Sequence, residues 1–156
     1  MKIIYKTGDL LESGEKIIAH SCNIKGGFGS GVAGAIAKKY PHVKKSYMHL
    51  YNYGGATLGH IQIVDPLASE DVMVINMFCQ PDFGYDGKRY VSYDAVDLAL
   101  AKLDARAEVN CWNQIAFPLF GTHLGGGRWP VLAALLELHS KHFQPIVYTL
   151  DGKIPE

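Results

Sequence analysis

The fold is decided by residues 16–40, which read KIIAHSCNIKGGFGSGVAGAIAKKY. Residues 16–22 predict a strand, and its stretch IIAH (residues 17–20) is nearly continuous in apolar character, which favours a sheet covered on both faces. Residues 31–40 place Val32, Ala35 and Ile36 at helical spacing and stop before Pro41, because the residue before a proline leaves the α region. Glycines fill the turn between the two segments, so the stretch predicts a strand, a glycine loop and a helix.

The same alternation continues along the rest of the chain. Five further runs rich in Ile, Val and Tyr predict strands at residues 2–6, 60–65, 72–78, 114–119 and 145–150. Three further periodic segments predict helices at residues 41–50, 92–109 and 129–143, with Ser92 as the N-cap of the second. Strands that alternate with helices predict a three-layer α/β fold, and no linker or repeat interrupts it. Residues 1–156 are therefore expected to form a single domain.

Composition narrows the class of protein. The chain has 156 residues with 15 basic and 15 acidic side chains, and this balance argues against a general surface for nucleic acids or anionic membranes. Three cysteines without a CxxC pair indicate a reducing compartment and predict no metal site. Because no signal-peptide or membrane-span pattern occurs, we expect a cytoplasmic protein without a membrane partner.

Two clusters stand out among the 17 glycines, one in residues 26–34 and one in residues 121–127. Each cluster follows a strand and precedes a helix. Glycine lets backbone N–H groups approach a ligand and a helix N-terminus favours an anion, so the two loops predict a phosphate site in one crevice. The alternative is that these glycines only meet the steric needs of two turns. Valine at Gly31 or Gly126 is expected to weaken anion binding with little change in melting temperature.

Two familiar nucleotide-binding patterns are excluded. Residues 29–34, GSGVAG, match the GxGxxG dinucleotide pattern, but the acidic residue that such a site needs about 20 positions later is missing. The chain also lacks a GxxxxGK[ST] phosphate loop. We therefore expect no bound cofactor.

Several motifs together point to a known family. They are residues 7–10 (TGDL), 17–23 (IIAHSCN), 29–33 (GSGVA), 76–80 (NMFCQ), 93–95 (YDA), 117–121 (FPLFG), 126–129 (GGRW) and 147–150 (VYTL). In order and spacing they resemble the macrodomain family, in particular its branch of ADP-ribose 1″-phosphate phosphatases and small ADP-ribosyl hydrolases, over nearly the whole chain. The resemblance implies a mixed sheet of about six strands between layers of helices, with ADP-ribose along its crest.

The resemblance also implies binding roles. Asp9 would accept the adenine amino group, although the same carboxylate could instead cap a turn, and Asn23 would bind the terminal ribose. The diphosphate would lie between the main-chain donors of the two glycine loops, without Lys or Arg. The implied substrate-binding residues are Asp9, Leu10, Asn23, Gly29, Ser30, Gly31, Val32, Gln80, Gly121, Thr122, Leu124, Gly125 and Gly126.

Two histidines are the candidate catalytic residues. His20 would act as general acid, general base or nucleophile toward a phosphate on the terminal ribose, and its alternative role is that of a hydrogen-bonded core histidine. The strand must bend for His20 and Asn23, three residues apart, to reach one ligand. His123 either lies over the phosphates or points outward. Gly125 and Gln80 stand where a deglycosylating branch has its catalytic Asp and Lys, so we do not expect that branch's covalent mechanism.

From these residues we expect an ADP-ribose-binding hydrolase that acts on ADP-ribose 1″-phosphate or a related ADP-ribosyl adduct. Residues 82–93 form a loop expected to border the ribose, with Tyr85, Arg89 or Tyr90 closing over it. Two alternatives stay open, a non-catalytic ADP-ribose reader and an enzyme acting on another nucleotide. The expected partners are ADP-ribose or a derivative and an ADP-ribosylated macromolecule, and the protein is expected to be a monomer.

Overall fold

The computed structural model describes residues 1–156 and contains six strands and four α-helices. The strands are β1 (Ile4–Thr7), β2 (Ile17–Asn23), β3 (Ile61–Val64), β4 (Met73–Gln80), β5 (Gln114–Phe117) and β6 (Gln144–Thr149). The helices are α1 (Gly31–Lys39), α2 (Pro41–Asn52), α3 (Tyr93–Asn110) and α4 (Trp129–His139). All the predicted elements are present, and the Ser92 side chain caps α3 by accepting the Ala95 N–H at 3.2 Å.

The strands form one mixed sheet in the order β1-β6-β5-β2-β4-β3. Every neighbouring pair is parallel except β3 and β4, which are antiparallel. The mixed sheet implied by the family resemblance is therefore confirmed. Because β5, β2 and β4 are adjacent and parallel, their carboxyl ends meet at one edge of the sheet, which is where open α/β sheets bind ligands.

Helices cover both faces of the sheet. One core cluster packs α3 and α4 against it through side chains that include Leu100 and Leu132, and a second packs α1 and α2 through Ile36 and Tyr47. These four side chains are fully buried. The three-layer α/β fold is thus confirmed, and none of the helices is both long and apolar enough to span a membrane.

Helix α4 is shorter than the sequence predicts. It ends at His139 instead of Phe143, because the Asp104 carboxylate on α3 accepts the N–H groups of Lys141 and His142 at 2.9 and 2.8 Å and holds them in a turn. Phe143 is fully buried, but it enters the core from this turn just before β6 and not from the helix. The predicted end of α4 was wrong because a carboxylate on α3 accepts the backbone N–H groups that would otherwise continue the helix.

Candidate functional site

A cavity of about 320 Å³ lies at the carboxyl ends of β5, β2 and β4. Each of these strands is followed by a segment that forms part of the wall: residues 27–33 after β2, residues 83–85 after β4 and residues 118–125 after β5. Most of the predicted site residues line this cavity, namely His20, Asn23, Gly29, Ser30, Gly31, Val32, Gln80, Gly121, Thr122, His123, Leu124 and Gly125. The fold therefore brings both glycine loops to one crevice.

The first loop is organised by the Asn23 side chain. Its Nδ2 donates to the Gly27 carbonyl at 2.7 Å, and its Oδ1 accepts from the N–H groups of Lys25 and Gly27 at 2.9 and 3.1 Å. The Tyr47 hydroxyl lies 3.0 Å from the same Oδ1 and accepts the Gly26 N–H, and burial raises the pKa of Tyr47 to about 12. One Nδ2 hydrogen of Asn23 is left for a ligand.

Helix α1 begins beside the cavity with its N–H donors free. Ser30 occupies the N-cap position, but its side chain makes no cap; its Oγ lies 2.6 Å from the Tyr85 hydroxyl instead. The N–H groups of Gly31, Val32 and Ala33 have no acceptor in the chain, and the first turn holds no acidic residue. These donors and the positive end of the helix dipole suit an anion in the cavity.

The second loop presents another row of free donors. The N–H groups of residues 121–124 have no acceptor in the chain. The loop is held from behind, because the Gly125 carbonyl accepts the N–H groups of Tyr90 and Val91 at 2.8 and 3.0 Å. His123 is exposed at the mouth of the cavity and adopts a left-handed backbone with φ of +45°. Two rows of main-chain donors therefore line a single cavity.

His20 lies in the cavity wall and is almost completely buried. Its Nε2 lies 2.6 Å from Asn76 Oδ1, and its ring packs edge-on against Phe28. Burial lowers the pKa of His20 to about 4, against a smaller raising effect of the Asn76 hydrogen bond, so the imidazole is neutral at neutral pH. The register of β2 against β4 shifts between Cys22 and Asn23, and this irregularity lets both His20 and Asn23 line the cavity.

Three predicted site residues lie outside the cavity lining. Asp9 Oδ1 accepts the Leu11 N–H at 2.9 Å and caps the 3₁₀ turn Leu10–Glu12, which is the alternative role foreseen for it. The Leu10 side chain packs in the core, next to Ile18. The Gly126 N–H donates to the His123 carbonyl at 3.1 Å. The adenine role of Asp9 stays a prediction.

Other cavity residues were missed or left unranked by the sequence. Phe83 was missed, since an aromatic residue in a loop carries no periodic signal, yet it lines the cavity beside Gly27. Tyr85 also lines the cavity, whereas the Arg89 guanidinium stacks on Tyr93 at 4.5 Å and the Tyr90 hydroxyl donates to Asp86 at 2.8 Å. Of the three proposed covering residues, the structure therefore places Tyr85 at the cavity.

Burial of His20 makes stability depend on pH. Its pKa is about 4 when folded and about 6.5 when unfolded, so the unfolded chain binds the proton more tightly. The contribution of His20 to the free energy of unfolding is fully present above about pH 6.5. It is lost as the pH falls toward 4, and the loss amounts to about 3 kcal/mol. Urea unfolding between pH 7 and 4 should show this loss in the wild type and much less of it in His20→Gln. Equal slopes for the two proteins would contradict the prediction.

Free main-chain N–H groups at the ends of parallel strands, in a cavity lined by no Lys, Arg, Asp or Glu, give this α/β protein a cavity that could hold an anion. No three His, Cys, Asp or Glu side chains converge in a way that could hold a metal ion. The family model for the Macro domain matches residues 19–136. The chain therefore belongs to the macrodomain family.

Individual relatives agree with this membership. The ADP-ribose 1″-phosphate phosphatase of Saccharomyces cerevisiae (strain YJM789) is 28% identical over 141 residues, covering 87% of this chain and 80% of that protein. A solved protein of unknown function from Bacteroides thetaiotaomicron is 30% identical, with a TM-score of 0.84. The match covers 96% of this chain and 99% of the Bacteroides chain. Thermosipho africanus DarTG, solved in complex with ADP-ribose, shares the fold with a TM-score of 0.81 at 17% identity, over 97% of this chain and 43% of its own.

Proposed function

We propose that this macrodomain binds ADP-ribose derivatives in the cavity and hydrolyses ADP-ribose 1″-phosphate or a related ADP-ribosyl adduct. The observation that carries the proposal is the pair of donor rows, at residues 31–33 and 121–124, that line one cavity with a neutral histidine in its wall. Relatives at 27–30% identity are named ADP-ribose 1″-phosphate phosphatases, which supports this substrate class.

The two rows suit a diphosphate better than a single phosphate. Each row supplies several N–H groups from a different loop, so a ligand with two linked phosphates can accept from both at once. Main-chain donors need no compensating cationic side chain, which agrees with a chain of zero formal net charge. The exposed positions of His123 and Leu124 at the mouth leave room for an ADP-ribosyl group that is attached to a macromolecule.

His20 supplies the group that acts on the phosphate. A water oxygen attacks the phosphorus, a neutral ring nitrogen of His20 takes the water proton, and the bond from phosphorus to the 1″ oxygen breaks. The bonding electron pair stays on the ribose oxygen, which receives the proton, and the products are ADP-ribose and phosphate. Because the pKa of His20 is about 4, the ring is unprotonated at neutral pH, which favours the base or nucleophile roles over that of general acid. Gln80, held by Ser21 at 3.1 Å, keeps its Nε2 free to contact the substrate.

The test combines binding with turnover. Calorimetry with ADP-ribose, competed with NAD, AMP and ATP, measures nucleotide preference, and release of inorganic phosphate from ADP-ribose 1″-phosphate measures catalysis. We expect ADP-ribose to bind in preference to the other nucleotides and phosphate to be released. Binding without release, even at high enzyme concentration, would identify a reader of ADP-ribose. Preference for NAD or ATP would overturn the proposal as a whole.

A further inference from the structure

Two side-chain amides, from Asn76 and Gln62, connect His20 to a backbone carbonyl on α2. His20 Nε2 lies 2.6 Å from Asn76 Oδ1 on β4. Asn76 Nδ2 lies 3.0 Å from Gln62 Oε1 on β3, and Gln62 Nε2 lies 3.0 Å from the Ser46 carbonyl oxygen. Asn76 is completely buried, and neither amide lines the cavity.

The far end of this chain fixes the direction of every hydrogen bond in it. The Ser46 carbonyl can only accept, so Gln62 must turn its Nε2 toward Ser46 and its Oε1 toward Asn76. Asn76 must then donate through Nδ2 to Gln62, which leaves only its Oδ1 for the histidine. Because Oδ1 is an acceptor, the imidazole must carry its proton on Nε2.

The other ring nitrogen has a different environment. The only polar neighbour of Nδ1 within hydrogen-bonding range is Cys22 Sγ, at 3.9 Å, and the same sulfur lies 3.5 Å from Nε2. Burial raises the pKa of the Cys22 thiol, so this neighbour is an uncharged thiol and does not form an ion pair with the ring. With the proton on Nε2, Nδ1 carries the free lone pair of the ring, and His20 is among the residues that line the cavity.

We propose that Asn76 and Gln62 are positioning residues that hold His20 in the tautomer protonated on Nε2, so that Nδ1 is the ring nitrogen able to accept a proton. The tautomer follows from the hydrogen bonds alone. Its consequence for catalysis rests on the proposed function, because Nδ1 is then the nitrogen that takes the proton from water. In the opposite tautomer Nδ1 would carry a hydrogen and could not accept that proton.

The tautomer can be measured without any substitution. Two-dimensional NMR of ¹⁵N-labelled protein at pH 7 correlates the ring protons of each histidine with both ring nitrogens and distinguishes a protonated from an unprotonated nitrogen. The signals that disappear in His20→Gln assign His20 among the seven histidines. We expect a neutral ring with the proton on Nε2. A proton on Nδ1, or a ring protonated on both nitrogens, would overturn the proposal.

Position 62 offers a matched pair of variants that tests the chain itself. Gln62→Glu presents only acceptors to Asn76, so it should keep the wild-type tautomer. Gln62→Lys presents only donors, so Asn76 must turn its Oδ1 toward position 62 and its Nδ2 toward His20, which forces the proton onto Nδ1. Gln62 is only half-buried on the edge strand β3, so both side chains have access to space, and thermal melting checks that each variant folds.

The two variants should also separate in activity. We expect Gln62→Lys to lower kcat for phosphate release by about 100-fold, the usual value of a positioned proton acceptor, with KM little changed, while Gln62→Glu keeps most of the activity. The same tautomer in both variants would contradict the role of Gln62. If NMR shows the predicted tautomers but the wild type releases no phosphate, the inference about the tautomer is supported and the proposed function is wrong.

Discussion

Replacement of His20 by Gln is expected to reduce phosphate release from ADP-ribose 1″-phosphate by about 100-fold or more, which is the usual contribution of a general base. The Gln amide N–H can take the place of the Nε2–H and donate to Asn76 Oδ1, so the hydrogen bond that His20 makes in the wall is preserved. The ring nitrogen that accepts the proton from water is lost. Phosphate release under saturating substrate measures the effect.

Binding should survive the same substitution. The free N–H groups that hold the diphosphate belong to residues 31–33 and 121–124, and none of them comes from His20. Calorimetry should therefore give His20→Gln an affinity for ADP-ribose within a few-fold of the wild type. His49→Gln is the matched control, because His49 is exposed on α2 and does not line the cavity. If His20→Gln released phosphate at the wild-type rate, the His20 imidazole would have no role in the reaction.

Much of the fold follows from local sequence patterns. The strand, glycine loop and helix in residues 16–40 are all present because apolar runs, glycines and Pro41 act on their own neighbourhood. The end of α4 depends instead on Asp104, more than 30 residues earlier in the chain, as the separations of 37 and 38 residues to Lys141 and His142 show. Local periodicity carries no information about such a contact.

The site shows the same division. Glycines mark both loops in the sequence, because close backbone approach and left-handed turns require them. The use of Asn23 to organise the first loop could not be predicted, since one of its partners, Tyr47, lies on α2, 24 residues away. The tautomer of His20 depends on three strands and a helix that meet only in the folded protein.

Gly29→Val is expected to weaken ADP-ribose binding by about 10- to 100-fold, the value of one lost hydrogen bond to a charged phosphate. Gly29 lines the cavity, and a Cβ built on it meets no atom within 4 Å, so the valine side chain would extend into open space where we propose that the diphosphate binds. Its backbone is outside the left-handed region, so little strain should follow. Calorimetry measures the loss, and the melting temperature should change by no more than about 2 °C, as for most substitutions that neither strain nor bury anything.

Gly29 tests the cradle better than the two glycines that the sequence alone suggested. Gly31 has φ of +57°, where a β-branched residue is strained, and a Cβ on Gly126 (φ of +68°) would collide with the Lys88 carbonyl oxygen and lie 2.8 Å from Arg89 Cα. The expectation that valine at Gly126 would spare stability is therefore wrong.

Gly126→Ala becomes the matched control for Gly29→Val. Gly126 lies outside the cavity, so we expect the alanine variant to lose about 2–4 kcal/mol of stability through strain and overpacking, while its folded fraction binds ADP-ribose normally. Gly29→Val should therefore lower the affinity for ADP-ribose but not the stability, and Gly126→Ala should lower the stability but not the affinity. If Gly29→Val kept full affinity, the diphosphate would have to bind away from the first loop, and the N–H groups at the start of α1 would need another explanation.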